Sequence, residues 1–135
     1  MHRRVCQEID LLKQHFAEMQ HGDQLNWVLI PKYSLPIGRF NKVYTKLLWI
    51  IPPAYPQVGP DDFFTEGDLR MQEGSMPQSF NIGSNSSSGN APIPGDWGWF
   101  SWHPENWHAA STIEKGDNLE SFLRSVNRCL RGEQP

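Results

Sequence analysis

The chain is short of cysteine, of long apolar runs and of positive charge, and each shortage removes a class of function. Two cysteines occur among 135 residues, Cys6 and Cys129, near opposite ends. Two thiols do not make a disulfide framework, and no Cys-x-x-Cys pair is present. The histidines (His2, His15, His21, His103 and His108) have no metal-ligand spacing with cysteine or acidic residues, so no zinc site and no cofactor is expected. Twelve basic against 15 acidic residues leave a net charge of −3, which argues against a nucleic-acid partner held by charge. No apolar run approaches the roughly 20 residues that a membrane span needs, so no membrane partner is expected. Met1 to Asp10 is polar; no secretory leader is expected, and the reading places the protein in the cytoplasm.

What is present is a globular mixture, 38% hydrophobic and 20% charged, sized for one domain over residues 1–135. Six tryptophans are the odd feature: a small aromatic core, or an aromatic surface that binds something. Val5, Ile9, Leu12, Phe16 and Met19 step by 4, 3, 4 and 3, the period of one helix face. Glu8, Asp10, Lys13, Gln14 and Glu18 fall on the polar face, and Cys6 borders the apolar stripe as a small buried hydrophobe. Gly22 is placed for a left-handed cap. Trp27 to Ile30 reads as a strand ended by Pro31, with Tyr33 to Pro36 as an extension. Tyr44 to Ile51 is the strongest strand signal and fits a central strand, stopped by Pro52-Pro53. Phe63 to Thr65 reads as a further short strand.

Phe80 to Gly95 (FNIGSNSSSGNAPIPG) offers little to bury and reads as a flexible surface loop over about 81–95, or as a flap beside a site. Asp96 to Trp107 carries four of the six tryptophans as an irregular aromatic loop. Leu119, Phe122, Leu123, Val126 and Leu130 form the apolar face of a last helix. Asp117 is its expected N-cap, with Glu120 completing a capping box. Strands run together between two helices, which predicts an α+β fold: an antiparallel sheet with helices on one side.

This order, with Pro52, Tyr55, Pro56, Pro60 and Phe63-Phe64 in the middle, resembles the ubiquitin-conjugating-enzyme fold. The resemblance is closer to the prokaryotic ubiquitin-conjugating-like proteins called family E. It rests on WVLIPKYSLP (Trp27 to Pro36), Gly38, Thr45 to Leu48, Tyr55-Pro56 with Pro60-Asp61 and Phe63, Leu69-Arg70, Phe100-Ser101-Trp102-His103-Pro104 with Trp107, and Asp117-Asn118-Leu119. It spans about residues 5 to 131. Such a fold implies transfer of a ubiquitin-like protein held as a thioester on a cysteine, because a thiolate both attacks and leaves well. It implies a bacterial ubiquitin-like system, with a ubiquitin-like protein or an activating-enzyme-like protein as partner. Between Phe80 and Asp117, where that cysteine belongs, the chain has none. The resemblance thus implies a non-catalytic binding module, a pseudoenzyme.

The alternative is an active transferase with a non-classical acceptor. Residues two apart in an extended segment point the same way, so Ser101 and His103 are the candidate catalytic pair, with Asp96 or Glu105 as the nearby acid. The bland role for the pair is a hydrogen bond from His103 to backbone and a turn capped by Ser101. An unrelated Ser-His hydrolase finds no Gly-x-Ser-x-Gly elbow in support. Alternation along the aromatic segment puts Phe100 and Trp102 opposite Trp97 and Trp99. Phe100, Trp102 and Trp107 are therefore expected as buried structural residues. Trp97 and Trp99 are expected as exposed partner contacts, with Tyr55, Asp61 and Asp62 as the other accessible candidates.

Overall fold

The strands form where apolar and aromatic residues can serve two faces of one sheet. The computed structural model describes residues 2–133. Helix α1 (His2–Lys13) is followed by β1 (Gln20–His21), β2 (Trp27–Ser34), β3 (Tyr44–Ile50) and β4 (Phe63–Glu66). Then come β5 (Phe80–Ile82), β6 (Asn85–Ser86), β7 (Gly89–Asn90), β8 (Trp97–Phe100) and α2 (Leu119–Leu130). The main sheet is antiparallel and runs β1-β2-β3-β4-β8-β5, while β6 and β7 make a separate hairpin.

Register divides the side chains cleanly. Val28 pairs Trp49 and Ile30 pairs Leu47, and these four lie on the face that also presents Phe63 and Phe100. Both helices cover that face, α1 with Val5, Ile9 and Leu12, and α2 with Leu119, Phe122, Leu123, Val126 and Leu130. This is the α+β, ubiquitin-conjugating-like arrangement with helices on one side. The intervening residues Leu29, Leu48, Phe64 and Trp97 form a second apolar layer on the opposite face. It is covered by Ala91 and Ile93, with Trp27, Ile50 and Trp99 at its margin.

Several expectations need correction. Strand β2 does not stop at Pro31; it continues to Ser34, and its pairing with β3 slips register between Ile30 and Tyr33. The slip removes the demand for the N–H that proline lacks. Helix α1 ends at Lys13, and Phe16 and Met19 reach the core from the turns that follow. Gly22 lies beyond β1, where a Cβ would come within 2.5 Å of Trp27 Nε1; close packing, not a helix cap, explains it. Cys6 is exposed, not buried. Phe80 to Gly95, expected as irregular, supplies the edge strand β5 and the β6–β7 hairpin. The irregular aromatic loop begins with β8, which sits between β4 and β5.

Glu8 departs furthest from its expected polar face: it is 3% exposed. Its carboxylate accepts from Arg4 Nε at 2.8 Å, from Tyr55 Oη at 2.6 Å and from the Leu119 backbone N–H at 2.6 Å. A negative charge there serves an unpaired donor at the start of α2 and favours its dipole. The N-cap of α2 is Asn118, one residue later than expected. Its side chain accepts from Ser121 N, and Ser121 Oγ accepts from Asn118 N. Asp117 instead accepts from His108 N at 2.7 Å and Ser121 Oγ at 3.0 Å.

Candidate functional site

Three segments converge at one end of the sheet: the loop from β3 to β4, the β6–β7 hairpin and the chain leaving β8. Asp62 joins them. Its backbone is left-handed, with φ 60°, and it is 1% exposed. Asp62 N donates to Trp102 O at 2.7 Å, and Trp102 N donates back to Asp62 Oδ1 at 3.0 Å. Ser87 Oγ, at the hairpin tip, donates to Asp62 Oδ2, and Ser88 Oγ donates to Asp61 O at 2.9 Å. The expectation of an accessible Asp62 is thus corrected: its carboxylate is spent on holding the loop.

Tyr55 is likewise buried, not accessible. Its hydroxyl is held by Glu8, and burial together with that carboxylate pushes the phenol well above its usual range. Its ring lies 5.9 Å from that of Trp107, whose Nε1 donates to Pro56 O at 2.8 Å. Trp107 packs on Gly59, where any Cβ would collide with the indole. Phe100 and Trp102 are buried and Trp107 is half-buried. Trp102 Nε1 donates to Ser125 Oγ at 3.1 Å, tying the loop to α2.

Trp97 is 4% exposed, against the expectation that it faces solvent. Trp97 and Trp99 do lie opposite Phe100 and Trp102, but the chain at Ala91 and Ile93 covers their face, and Trp97 Nε1 donates to Ile93 O at 2.9 Å. Trp99 on the same face is half-buried. Of the expected partner contacts, Asp61 and part of Trp99 remain accessible.

The structure does bring Ser101 and His103 together. Ser101 Oγ lies 3.5 Å from His103 Nε2, at the outer limit of a hydrogen bond. The acid beside the imidazole is neither Asp96 nor Glu105. It is Asp61, whose Oδ2 lies 3.6 Å from His103 Nδ1. The side chains of His103 and Asp61 are 58% and 48% exposed. Serine and carboxylate therefore flank opposite ring nitrogens, the order that serine nucleophiles use, in a loose and solvent-open form. Asp62 Oδ1, at 3.9 Å from Nε2, adds a second negative neighbour.

Ser101 and His103 also line a cavity of about 310 Å³ with Arg39, Ser79, Trp102 and Cys129. Arg39, Ser79 and Glu8 carried no signal in the sequence, since nothing local marks a lone arginine in a glycine turn or a glutamate on a polar stripe as inward-facing. Burial pushes the Cys129 thiol up to about 12, against the pull of Arg39. Cys6 is exposed on α1 and does not line this cavity. Among the described residues, no three His, Cys, Asp or Glu side chains are grouped to hold a metal ion, and no helix is long and apolar enough to cross a membrane.

The model of one protein family, described as prokaryotic E2 family E, matches residues 7–133 of the chain. No curated protein and no solved structure matches it.

Proposed function

The chain belongs to prokaryotic E2 family E, and from that membership we propose that it serves a bacterial ubiquitin-like system as a non-catalytic module. In this reading it binds a ubiquitin-like protein or the activating enzyme that charges it. The observation that carries the reading is the state of the two thiols. The loop after β8 has no cysteine, and Cys6 lies on α1. With its thiol pushed up to about 12 by burial, Cys129 is rarely ionised at pH 7. A thiol so rarely ionised is a poor acceptor for a thioester. The proposed contact surface is the accessible part of the converging loops, with Asp61 and Trp99 meeting the partner and Tyr55, Asp62 and Trp97 supporting them from beneath. The test is a titration of labelled protein with a ubiquitin-like protein of the same bacterium, alone and with an activating-type protein. Saturable binding is expected; no binding in either arm at high micromolar concentration refutes the reading.

A second reading is favoured by the placement of Ser101, His103 and Asp61. Here Ser101 Oγ attacks the carbonyl carbon of a ubiquitin-like protein carried as a thioester on an activating enzyme. The C–O bond forms and the C–S bond breaks. The hydroxyl proton passes to His103 Nε2 and on to the leaving thiolate. Charging with activating enzyme, ATP and the ubiquitin-like protein decides it. An adduct that survives thiol and vanishes in Ser101→Ala supports transfer; no adduct with a competent enzyme removes it.

A further inference from the structure

Arg39 lines the cavity behind the site loop, and among the described residues no carboxylate lies within salt-bridge distance of it; the exposed Glu73 carboxyl, held below its usual range by backbone and Ser75 hydrogen bonds, feels the Arg39 charge at longer range. Arg39 follows Gly38 in the turn between β2 and β3, where Gly38 has φ 77°. Its guanidinium lies over the Phe40 ring, 5.7 Å from the centroid. It also lies against Gly132, where a Cβ would come within 2.6 Å of an Arg39 Nη. The side chain is thus seated by an aromatic face and a glycine on two sides. Arg39 Nε is buried and has no hydrogen-bond partner, and among the described residues no carboxylate pairs with the guanidinium. Nε itself is closed to solvent, but Arg39 borders the cavity, so an acceptor entering there meets the rest of the guanidinium.

The walls supply what such an acceptor needs. Ser79 and Ser101 hydroxyls and the His103 imidazole line the same space. The two acidic side chains on the walls do not neutralise Arg39: Glu133 is held by Arg131 at 3.0 Å, and Glu105 is exposed at the rim. The guanidinium fork matches a carboxylate, which accepts two parallel N–H bonds. A volume of about 310 Å³ is at the small end of ligand pockets and admits the end of a chain, not a folded surface.

We propose that Arg39 is a carboxylate-binding residue, and that this cavity receives the C-terminal carboxylate of an extended polypeptide tail, with Ser101 and His103 as flanking donors. The proposal rests on the binding-module reading, in which the tail belongs to the ubiquitin-like partner. It gives the module a way to recognise a free chain end without a covalent bond.

The probes are tetraglycine as the free acid, tetraglycine amide and inorganic phosphate. The readout is the Arg39 Nε–H resonance of labelled protein. The free acid is expected to shift that resonance saturably at concentrations of about 10 mM, the range for one charged contact on a short flexible ligand. The amide is expected to leave it unmoved. Followed on the backbone amides of Ser79 and Ser101, which the variants retain, Arg39→Gln is expected to weaken binding about tenfold, with Arg39→Lys intermediate. No shift, equal shifts from acid and amide, or an equal shift from phosphate would each overturn the tail assignment; the last leaves a general anion site. The parent reading fails separately. If the free acid binds but the ubiquitin-like protein does not, the partner is wrong and the subsite stands. If the ubiquitin-like protein binds wild type and Arg39→Gln alike, the subsite is wrong and the module stands.

Discussion

Replacing Asp62 tests whether one buried carboxylate assembles the site. In Asp62→Ala the Trp102 N–H loses its acceptor in a buried position, and the Ser87 hydroxyl loses its own. Hydrogen bonds to a charged group contribute about 1.5–3 kcal/mol each, so losing both costs roughly 3–6 kcal/mol. Alanine at φ 60° adds about 1–2 kcal/mol of backbone strain, which glycine does not suffer. Asp62→Gly therefore separates the two terms. Asp62→Asn keeps an acceptor for Trp102 N and tolerates the left-handed backbone, so it is expected to cost less than half as much as alanine. Urea denaturation gives the stabilities, with unchanged slopes as the check on two-state behaviour. Exchange of the Trp102 amide proton gives the local readout, and is expected to accelerate in alanine and glycine variants before the sheet amides do. If Asp62→Ala lies within about 1 kcal/mol of wild type, or Trp102 remains protected, the clamp described here does not hold the loop.

Removing the Glu8 carboxylate as Glu8→Ala strands the Tyr55 hydroxyl, the Leu119 N–H and the Arg4 charge. A loss of about 3–5 kcal/mol in chemical denaturation is expected, and a loss below 1 kcal/mol contradicts the three-way contact. Alkylation with iodoacetamide at pH 8 should modify exposed Cys6 at least about 100-fold faster than Cys129, read by peptide mass; comparable rates refute the burial assigned to Cys129. Burial also pushes the Tyr33 phenol, whose hydroxyl donates to Asn127 Oδ1 at 2.7 Å, from 10.0 to about 12. Because the folded state holds that proton more tightly, its contribution is complete below pH 10 and is lost as pH rises towards 12. The alkaline fall in melting temperature should shrink in Tyr33→Phe.

Elements whose patterning is local were legible in the sequence. The apolar period of α2 and the density of β-branched and aromatic residues in β3 each specify one element with one buried face or two. Pro31 reads as a stop for β2, and only the register slip opposite β3 shows how the proline is accommodated. The parity of Trp97 against Phe100 was legible; burial of Trp97 was not, because its cover is a stretch without helical period at Ala91 and Ile93. The hairpin at Asn85 to Asn90 has no apolar alternation, and it is fixed by serine hydroxyls reaching Asp61 and Asp62. In the site, Ser101 and His103 were legible as near neighbours on an extended segment. The meeting of His103 with Asp61, and the inward turn of Arg39, depend on loops distant in sequence, and no local spacing records such contacts.

The most direct test of the proposed module is a calorimetric titration of the Cys6→Ser, Cys129→Ser double variant with a ubiquitin-like protein of the same bacterium, with and without an activating-type protein. Saturable binding is expected to persist in the double variant, since no thioester to either thiol is needed to hold the partner. Loss of binding on removal of the thiols, or no binding by either protein, would contradict it.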